Sequence, residues 1–192
     1  MNGSPATEEG RPALRKRLLA ARATLGEAEH RARSLAILHH LQGGVALEGT
    51  VGFYWPFQNE WDPRPLILPH LIAGGRAALP VVIGRGQPLE FRLWTPDTAM
   101  AEGPFRIPYP AEGAAVRPDL LLVSLLGFDP RGYRLGYGGG FYDRTLAGWD
   151  PQPATVGVGF ELGRLADVEP HEHDIPLDRI VTEAGLFTSP SS

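Results

Sequence analysis

Residues 119–144 read DLLLVSLLGFDPRGYRLGYGGGFYDR, and this stretch decides the fold. Leu120–Ser124 is apolar over its whole length, which predicts a buried strand, and 141–149 predicts a short helix. Gly136, Gly138, Gly139 and Gly140 come directly before that helix. Several backbone N–H groups can therefore converge at a helix N-terminus, where the helix dipole also favours an anion such as phosphate.

The glycine turn matches neither common phosphate-binding pattern. It lacks both the G-x-x-x-x-G-K-[ST] and the G-x-G-x-x-G spacing, so a plain flexible turn remains the alternative on the glycines alone. Its neighbours favour a binding role. Arg134 and Tyr137 flank the turn, and Asp143 lies on the first helical turn, near enough for a metal ion bound to the same phosphates.

The chain before this stretch alternates between helical and extended patterns. Leu14, Leu18, Ala21 and Leu25 have the spacing of one helical face, and Arg15 and Arg22 belong to the basic remainder of that helix. Thr24 and Glu27 have the spacing of a capping box, which predicts a second helix running to Gly43-Gly44. A third helix is predicted from Asp62-Pro63, as N-cap and first helical residue, to Gly74-Gly75.

The predicted strands are short and apolar, and they lie at 50–55, 76–83, 89–94, 120–124, 155–160 and 179–182. Buried strands that alternate with helices favour a mostly parallel sheet covered on both faces. The fold class is therefore α/β. Residues 11–186 are expected to form a single domain, and the small, polar segments 1–10 and 187–192 are expected to be flexible.

Three further segments carry reactive or aromatic side chains. Glu60 and Asp62 follow the first strand, where open α/β sheets place ligands; Asp62 has a capping role, so Glu60 is the better site candidate. Phe105 begins a proline-fixed extended stretch whose rings could stack on a flat heterocycle or only pack. His171 and His173 lack the further ligands of a convincing zinc site.

Composition narrows the function classes. The 192 residues are 43% hydrophobic and 21% charged with a net charge of −4, which argues against disorder and against coating of nucleic acid. An RNA-binding module built on the basic first helix is the weakest alternative. The absence of cysteine excludes disulfides, thiolate nucleophiles and Cys-ligated zinc. No apolar stretch approaches the length of a membrane helix and no signal peptide precedes the first helix, so we expect a cytoplasmic protein without membrane or nucleic-acid partners.

Taken together, these motifs resemble the 5-formyltetrahydrofolate cyclo-ligase (methenyltetrahydrofolate synthetase) family. The run from Gly127 to Asp143, with its pattern Gly-Phe-Asp-x-x-Gly-x-Arg-Leu-Gly-x-Gly-x-Gly-Phe-Tyr-Asp, is similar to the family signature and is highly specific. Other landmarks follow in the family's order, and the resemblance spans roughly residues 11 to 183: Leu14-Arg15, Glu60, Leu79-Pro80, Ile107-Pro108-x-Pro110 and His173-Asp174-Ile-Pro-Leu-Asp178.

The resemblance implies a three-layer α/β/α fold of the NagB and ribose-5-phosphate isomerase kind. It also implies an enzyme that uses ATP and Mg²⁺ to convert 5-formyltetrahydrofolate to 5,10-methenyltetrahydrofolate, as a monomer or weak dimer. Glu60, Arg134 and Tyr142 would be catalytic, and Glu60, Phe105 and Tyr142 would surround the folate. Asp143 and Asp174 would serve Mg²⁺. ATP would be bound by Arg11, Arg15, Arg134, Leu135, Gly136, Tyr137, Gly138, Gly139, Gly140, Phe141 and Tyr142.

The chain departs from the family pattern at two positions. Arg11 stands where the family usually has Lys, so a planar fork replaces a point donor. Ser124 stands where the family usually has Pro, which restores a backbone donor at the end of the strand. Because fold and motif do not guarantee turnover, a non-catalytic folate- or nucleotide-binding member of the same fold is the alternative function.

Overall fold

An eight-stranded sheet forms the centre of the molecule, in a computed structural model that describes residues 10–190. The strand order is β12-β11-β10-β7-β1-β2-β3-β6, while β4 pairs with β5 and β8 with β9 in separate two-stranded sheets. The strands are β1 Thr50–Gly52, β2 Arg76–Val82, β3 Leu89–Trp94, β4 Met100–Glu102, β5 Pro108–Pro110, β6 Ala115–Val116, β7 Leu120–Ser124, β8 Gly127–Phe128, β9 Arg134–Leu135, β10 Ala154–Val158, β11 Arg179–Thr182 and β12 Gly185–Thr188.

The middle of the sheet is parallel and its edges are antiparallel. Strands β11, β10, β7, β1 and β2 run in one direction, and β12, β3 and β6 pair with their neighbours in the antiparallel sense. The prediction of an α/β fold with a mostly parallel sheet is confirmed. Because the parallel strands end at one edge, the loops that follow β1 and β7 emerge side by side.

Helices cover both faces of the sheet. They are α1 Arg11–Ala23, α2 Glu27–Gly44, α3 Arg64–Ile72 and α4 Phe141–Ala147. Side chains of β7 alternate between two cores: Leu122 belongs to a cluster with Ile37 and Leu41 of α2, whereas Leu121 belongs to one with Leu146 of α4. This arrangement gives the three layers that were predicted, whereas the closer likeness to the isomerase group stays a prediction. Within residues 10–190, no helix is long and apolar enough to cross a membrane.

The prediction of a capping box at Thr24 is wrong. Thr24 ends α1, and its Oγ1 donates to the carbonyl of Ala21 at 2.7 Å, so the hydroxyl satisfies the preceding helix instead of the next one. Helix α2 begins at Glu27 after Gly26, without a side-chain cap. Helix α3 begins one residue later than predicted, at Arg64, although Asp62 Oδ1 still accepts the Arg64 backbone N–H at 3.0 Å.

Several predicted boundaries move. Strand β1 ends at Gly52, β2 at Val82 and β10 at Val158, and helix α4 ends at Ala147, each before its predicted end.

At the C-terminus the correction is larger, because the segment predicted to be flexible from 187 begins inside strand β12. Phe187 pairs with Ile180 of β11, and its ring lies 4.2 Å from the Arg164 guanidinium carbon. The Ser189 N–H donates to the Asp178 carbonyl at 2.9 Å, so order extends past the predicted boundary. Of the N-terminal segment, residues 1–9 lie outside the described residues.

Candidate active site

The loop after β1 presents Glu60 through a tight turn. Gln58 and Asn59 have φ angles of 48° and 63°, a left-handed conformation that non-glycine residues rarely adopt. The turn brings the Phe57 backbone N–H to the Glu60 Oε2 at 2.9 Å. Such strained residues persist only where the surrounding structure holds them in place, and they are found mostly at active sites and ligand-binding loops.

Glu60 is buried, with 7% of its surface exposed, although it lies in a polar loop. Its Oε1 accepts a hydrogen bond from the Tyr137 hydroxyl at 2.8 Å and lies 4.0 Å from Arg22 Nη1. Burial raises the pKa of Glu60, while hydrogen bonds and the Arg22 charge oppose that shift. The Ser124 hydroxyl is among the groups that oppose the shift.

The sequence analysis placed Arg22 on the basic remainder of α1 and missed it as a candidate, whereas the structure places it on the buried face of that helix. Arg22 is 3% exposed and donates from Nη2 to the Tyr137 hydroxyl at 2.5 Å. The signal was present in the sequence, since Arg22 follows Leu14 and Leu18 at four-residue spacing and so lies on the buried face of α1. A charged residue on an apolar helical face is a candidate for a buried functional contact.

An aromatic cluster borders Glu60. The ring of Phe57 lies 6.3 Å from that of Phe105 and 6.1 Å from that of Tyr137. Phe105 is 79% exposed and has a φ of 58° inside a short 3₁₀ turn, which corrects the prediction that it lies in an extended stretch. An exposed ring held in this conformation next to other rings is suited to a flat, aromatic ligand.

Tyr142 lies on the first turn of α4, behind the glycine turn. Burial and the nearby Glu60 charge raise the pKa of Tyr142, and the Arg134 guanidinium carbon lies 5.9 Å from its ring. Glu60, Tyr142 and Arg134 thus lie in one region, as their predicted shared role requires.

The glycine turn has the backbone conformation that its sequence predicts. Gly138 and Gly140 have φ angles of 94° and 62°, where a side chain would be strained. Leu135 is fully buried, so its side chain is out of reach of a nucleotide, whereas Phe141 is partly buried and packs against the core.

Positive charge surrounds the turn. Arg15 Nε donates to the Gly136 carbonyl at 2.8 Å, and Arg144 Nη2 donates to the Gly139 carbonyl at 2.6 Å. Burial and the charge of Arg11 lower the pKa of Arg15, as expected for neighbouring cations with incomplete compensation. Such a site attracts a polyanion.

The two predicted metal ligands both accept backbone hydrogen bonds from the segment 171–175. Asp143 Oδ1 accepts from Arg134 at 2.7 Å and from the Ile175 N–H at 3.1 Å. Asp174 Oδ2 accepts from Arg11 at 2.5 Å and from the His171 N–H at 2.9 Å, and these contacts lower the pKa of Asp174. No group of three or more His, Asp or Glu side chains suited to a metal occurs in residues 10–190.

Comparison with known proteins gives a consistent result. Residues 7–183 match the model of the 5-formyltetrahydrofolate cyclo-ligase family. The chain is 35% identical over 153 residues to 5-formyltetrahydrofolate cyclo-ligase of Escherichia coli (strain K12), covering 74% of this chain and 82% of that protein. It is 32% identical over 178 residues to the enzyme of the same name from Mycolicibacterium smegmatis, covering 88% and 91%.

Solved structures agree. The NMR structure of Aquifex aeolicus 5,10-methenyltetrahydrofolate synthetase superposes with a TM-score of 0.81 at 30% identity, covering 95% of this chain and 94% of that one. A 5,10-methenyltetrahydrofolate synthetase from Mycoplasma pneumoniae has a TM-score of 0.75 at 25% identity, covering 90% and 98%. With the buried carboxylate and the glycine turn at one sheet edge, these matches show that the chain belongs to the 5-formyltetrahydrofolate cyclo-ligase family.

Proposed function

We propose that this protein converts 5-formyltetrahydrofolate to 5,10-methenyltetrahydrofolate while converting ATP to ADP and phosphate. The observation that supports this most is the meeting of two unlike sites at one edge of the sheet. A cationic glycine turn, suited to phosphates, lies directly beside a buried carboxylate bordered by aromatic rings, and Tyr137 is hydrogen-bonded to that carboxylate. A reaction that transfers a phosphoryl group from a nucleotide to a substituent of a flat heterocycle needs this adjacency.

The chemistry requires no protein nucleophile. The formyl oxygen of the substrate attacks the γ-phosphorus of ATP, ADP departs, and a phosphorylated imidate forms. N10 then attacks the activated carbon and loses its proton, the ring closes, and phosphate leaves. A chain without cysteine is adequate for this, because its task is to position two substrates and to stabilise the charge that develops on phosphate oxygens.

The nucleotide would be held by residues of α1 and of the glycine turn. Arg15 and Arg11 approach the turn from α1, and Arg134 lies behind it on β9. Gly136 to Gly140 would bring backbone N–H groups close to the phosphates, which a Cβ at a position of positive φ would obstruct. Arginine forks suit phosphate oxygens through bidentate contacts.

The folate would be held on the other side of Tyr137. Phe105 and Phe57 offer ring faces to the pteridine, and Glu60 would accept hydrogen bonds from its polar edge or orient the N10 side. Tyr142 and Arg134 would approach the reacting groups from behind the turn. Glu60 is thereby the residue on which folate recognition most depends.

The donor set fits Mg²⁺ bound together with phosphate. The two predicted ligands are Asp143 and Asp174. Asp143 accepts its hydrogen bonds through Oδ1 and Asp174 through Oδ2, so the other oxygen of each carboxylate has no hydrogen bond from residues 10–190. Mg²⁺ in nucleotide sites is commonly held by one or two carboxylates, waters and the phosphates themselves. Asp143 and Asp174 would hold the ion, whose charge would neutralise that of the phosphates.

The test is a turnover assay on the purified protein. With 5-formyltetrahydrofolate, ATP and Mg²⁺, we expect the near-ultraviolet absorbance of the methenyl product to develop, with ADP and phosphate formed in equal amounts. Turnover without nucleotide, or AMP and pyrophosphate as products, would overturn the ATP-coupled mechanism. Tight binding of both substrates without product would instead indicate the non-catalytic alternative.

A further inference from the structure

A chain of two hydrogen bonds joins three separate segments around Glu60. Arg22 Nη2 on α1 donates to the Tyr137 hydroxyl at 2.5 Å, and that hydroxyl donates to the Glu60 Oε1 at 2.8 Å. Arg22 is 3% exposed and Glu60 is 7% exposed. A single phenolic oxygen of the glycine turn therefore connects a buried cation to a buried carboxylate.

The cation reaches the carboxylate mainly through this hydroxyl. The direct approach of Arg22 Nη1 to Glu60 Oε1 is 4.0 Å, too long for a hydrogen bond. Arg22 Nη1 instead donates to the Leu125 carbonyl at 3.4 Å, and its Nε has no partner among residues 10–190. A buried ion pair with incomplete hydrogen bonding is poorly suited to stability alone, because apolar packing commonly replaces such a pair without loss.

The two oxygens of Glu60 are fixed from opposite sides. Oε2 is held by the Phe57 N–H of its own loop at 2.9 Å, and Oε1 is held by the glycine turn through Tyr137. The Asn59 side chain also donates to the Arg22 carbonyl at 3.4 Å, which ties the Glu60 loop to α1. Loss of the Tyr137 hydroxyl would free Oε1 while leaving Oε2 bound.

We propose that Arg22 and Tyr137 are positioning residues for Glu60, which hold its carboxylate in one orientation with compensated charge and couple it to the glycine turn. This inference rests on the proposed function, since it assigns to Glu60 the recognition of folate. Tyr137 is adjacent to Gly138, over which the Arg15 guanidinium lies. A nucleotide that orders the turn therefore also fixes the hydroxyl that holds Glu60, so ATP should improve folate binding.

The main test compares Tyr137→Phe with wild type. The substitution keeps the ring, and with it the contact to Phe57, but removes both hydrogen bonds. We expect kcat/KM for 5-formyltetrahydrofolate to fall about tenfold, as for loss of one hydrogen bond to a charged group. With a non-hydrolysable ATP analogue, wild type should bind 5-formyltetrahydrofolate more tightly, and Tyr137→Phe should lose most of that gain.

A matched control is available nearby. Tyr133 also has an arginine against its ring, with the Arg131 guanidinium carbon at 5.3 Å, but it packs in the small core at Leu14 and Leu135. Tyr133→Phe should leave the kinetics and the nucleotide effect unchanged. Arg22→Lys keeps the charge and should retain more activity than Arg22→Leu, and the melting temperature of each variant shows whether it is folded.

The pH profile of kcat/KM separates positioning from a structural role. The groups facing Glu60 are Arg22 on α1, Tyr54 after β1, Ser124 at the end of β7, Tyr137 in the glycine turn and Tyr142 on α4. Burial raises the pKa of each of these tyrosines above its ordinary value of 10.0, which leaves Glu60 as the carboxyl group of this set. Because the Tyr137 hydrogen bond lowers the pKa of Glu60, Tyr137→Phe should move the acidic limb to higher pH.

The outcomes distinguish this inference from the proposed function. Active wild type with folded Tyr137→Phe and Arg22→Leu variants indistinguishable from Tyr133→Phe would overturn the positioning role and leave the activity intact. A folded wild type that neither turns over nor binds 5-formyltetrahydrofolate would overturn the proposed function, and this inference with it.

Discussion

At the scale of single residues, burial of Glu60 opposes its ionisation, whereas the neighbouring groups stabilise its charge. Burial disfavours its charged form, yet a backbone N–H, a tyrosine hydroxyl and an arginine are all directed toward that charge. Local environments that perturb a carboxylate in this way are typical of binding and catalytic sites.

Replacement of Glu60 by Gln should reduce the rate with 5-formyltetrahydrofolate by about 10² to 10³, the range seen for loss of one preorganised polar group. The amide keeps the shape but removes the charge, so ATP binding should be nearly unchanged. Steady-state kcat/KM for both substrates, together with direct binding of a nucleotide analogue, measures this separation.

Glu183 provides a control for the Glu60 substitution. Its carboxylate also binds an arginine, Arg33, and accepts a backbone N–H, from Glu161 at 2.8 Å, but it lies on the β11–β12 side of the sheet. Glu183→Gln should leave the kinetics intact. If Glu60→Gln were as active as Glu183→Gln, Glu60 would have only a structural role.

The sequence singles out candidate site residues more readily than it predicts the surroundings in which they lie. Glu60 stands out because Asp62 already accounts for the helix start, and the structure agrees on that division of roles. Arg22 could be found only by noticing a charge on the apolar face of α1. Burial of Glu60 could not be predicted, because it results from Tyr137, which is distant in the chain and arrives only when β1 and β7 pair.

At the scale of elements, the glycine turn is the part that the sequence describes best. Gly138 and Gly140 both have positive φ, a conformation that glycine adopts at little cost. Boundaries of short elements are predicted less well. Thr24 has the right residue type and spacing for a cap of α2, but the end of α1 is nearer to its hydroxyl.

Substitution of Gly138 by Val should raise the KM for ATP at least about tenfold or abolish turnover. Valine at a φ of 94° is strained, so the turn would shift, and its side chain would occupy the space in front of the Arg15 guanidinium carbon, which would lie 3.4 Å from the new Cβ. ATP kinetics and the urea midpoint measure the two effects separately.

Gly86→Val is the matched control, since Gly86 has a φ of 74° with open space around it in the connection between β2 and β3. Gly86→Val should lower the free energy of unfolding by an amount on the order of 1–2 kcal/mol, which is the conformational cost of a side chain at positive φ, without a change in ATP kinetics. Equal ATP kinetics in Gly138→Val and Gly86→Val would indicate that the glycine turn does not approach phosphate.

At the scale of the whole molecule, the parallel strands at the centre of the sheet determine which loops lie next to one another. Registered pairing of β1 with β7 brings the loop with Glu60 to the loop with Tyr137, although the two residues are 77 positions apart in the chain. The continuous apolar run of β7 predicts coverage on both faces of the sheet, and this is observed. The antiparallel strand β12 escaped prediction because a short pattern at a chain end resembles a polar tail.

The free energy of unfolding should depend on pH in a way that identifies Glu60. Because the folded-state pKa of Glu60 is raised above its ordinary value of 4.5, the unfolded chain ionises first as pH rises. The contribution of Glu60 to the free energy of unfolding is therefore fully present below its ordinary pKa and is lost as pH rises through its pKa in the folded protein. Glu60→Gln lacks this titration, so its stability relative to wild type should increase with pH from 4.5 upward and then level off.

Asp174 should give the opposite sign in a lower range of pH. Its pKa is lowered below 3.8 by Arg11 and the His171 N–H, so its contribution is present above that value and is lost as pH falls through the folded pKa. Asp174→Asn should therefore be less stable than wild type near neutral pH, with a deficit that shrinks below about pH 4. Urea unfolding of the three proteins across this range measures both slopes. If the difference in free energy of unfolding between Glu60→Gln and wild type did not change with pH, the pKa of Glu60 would not be raised in the folded protein. The buried surroundings of Glu60 would then not determine the charge on which the proposed folate contact depends.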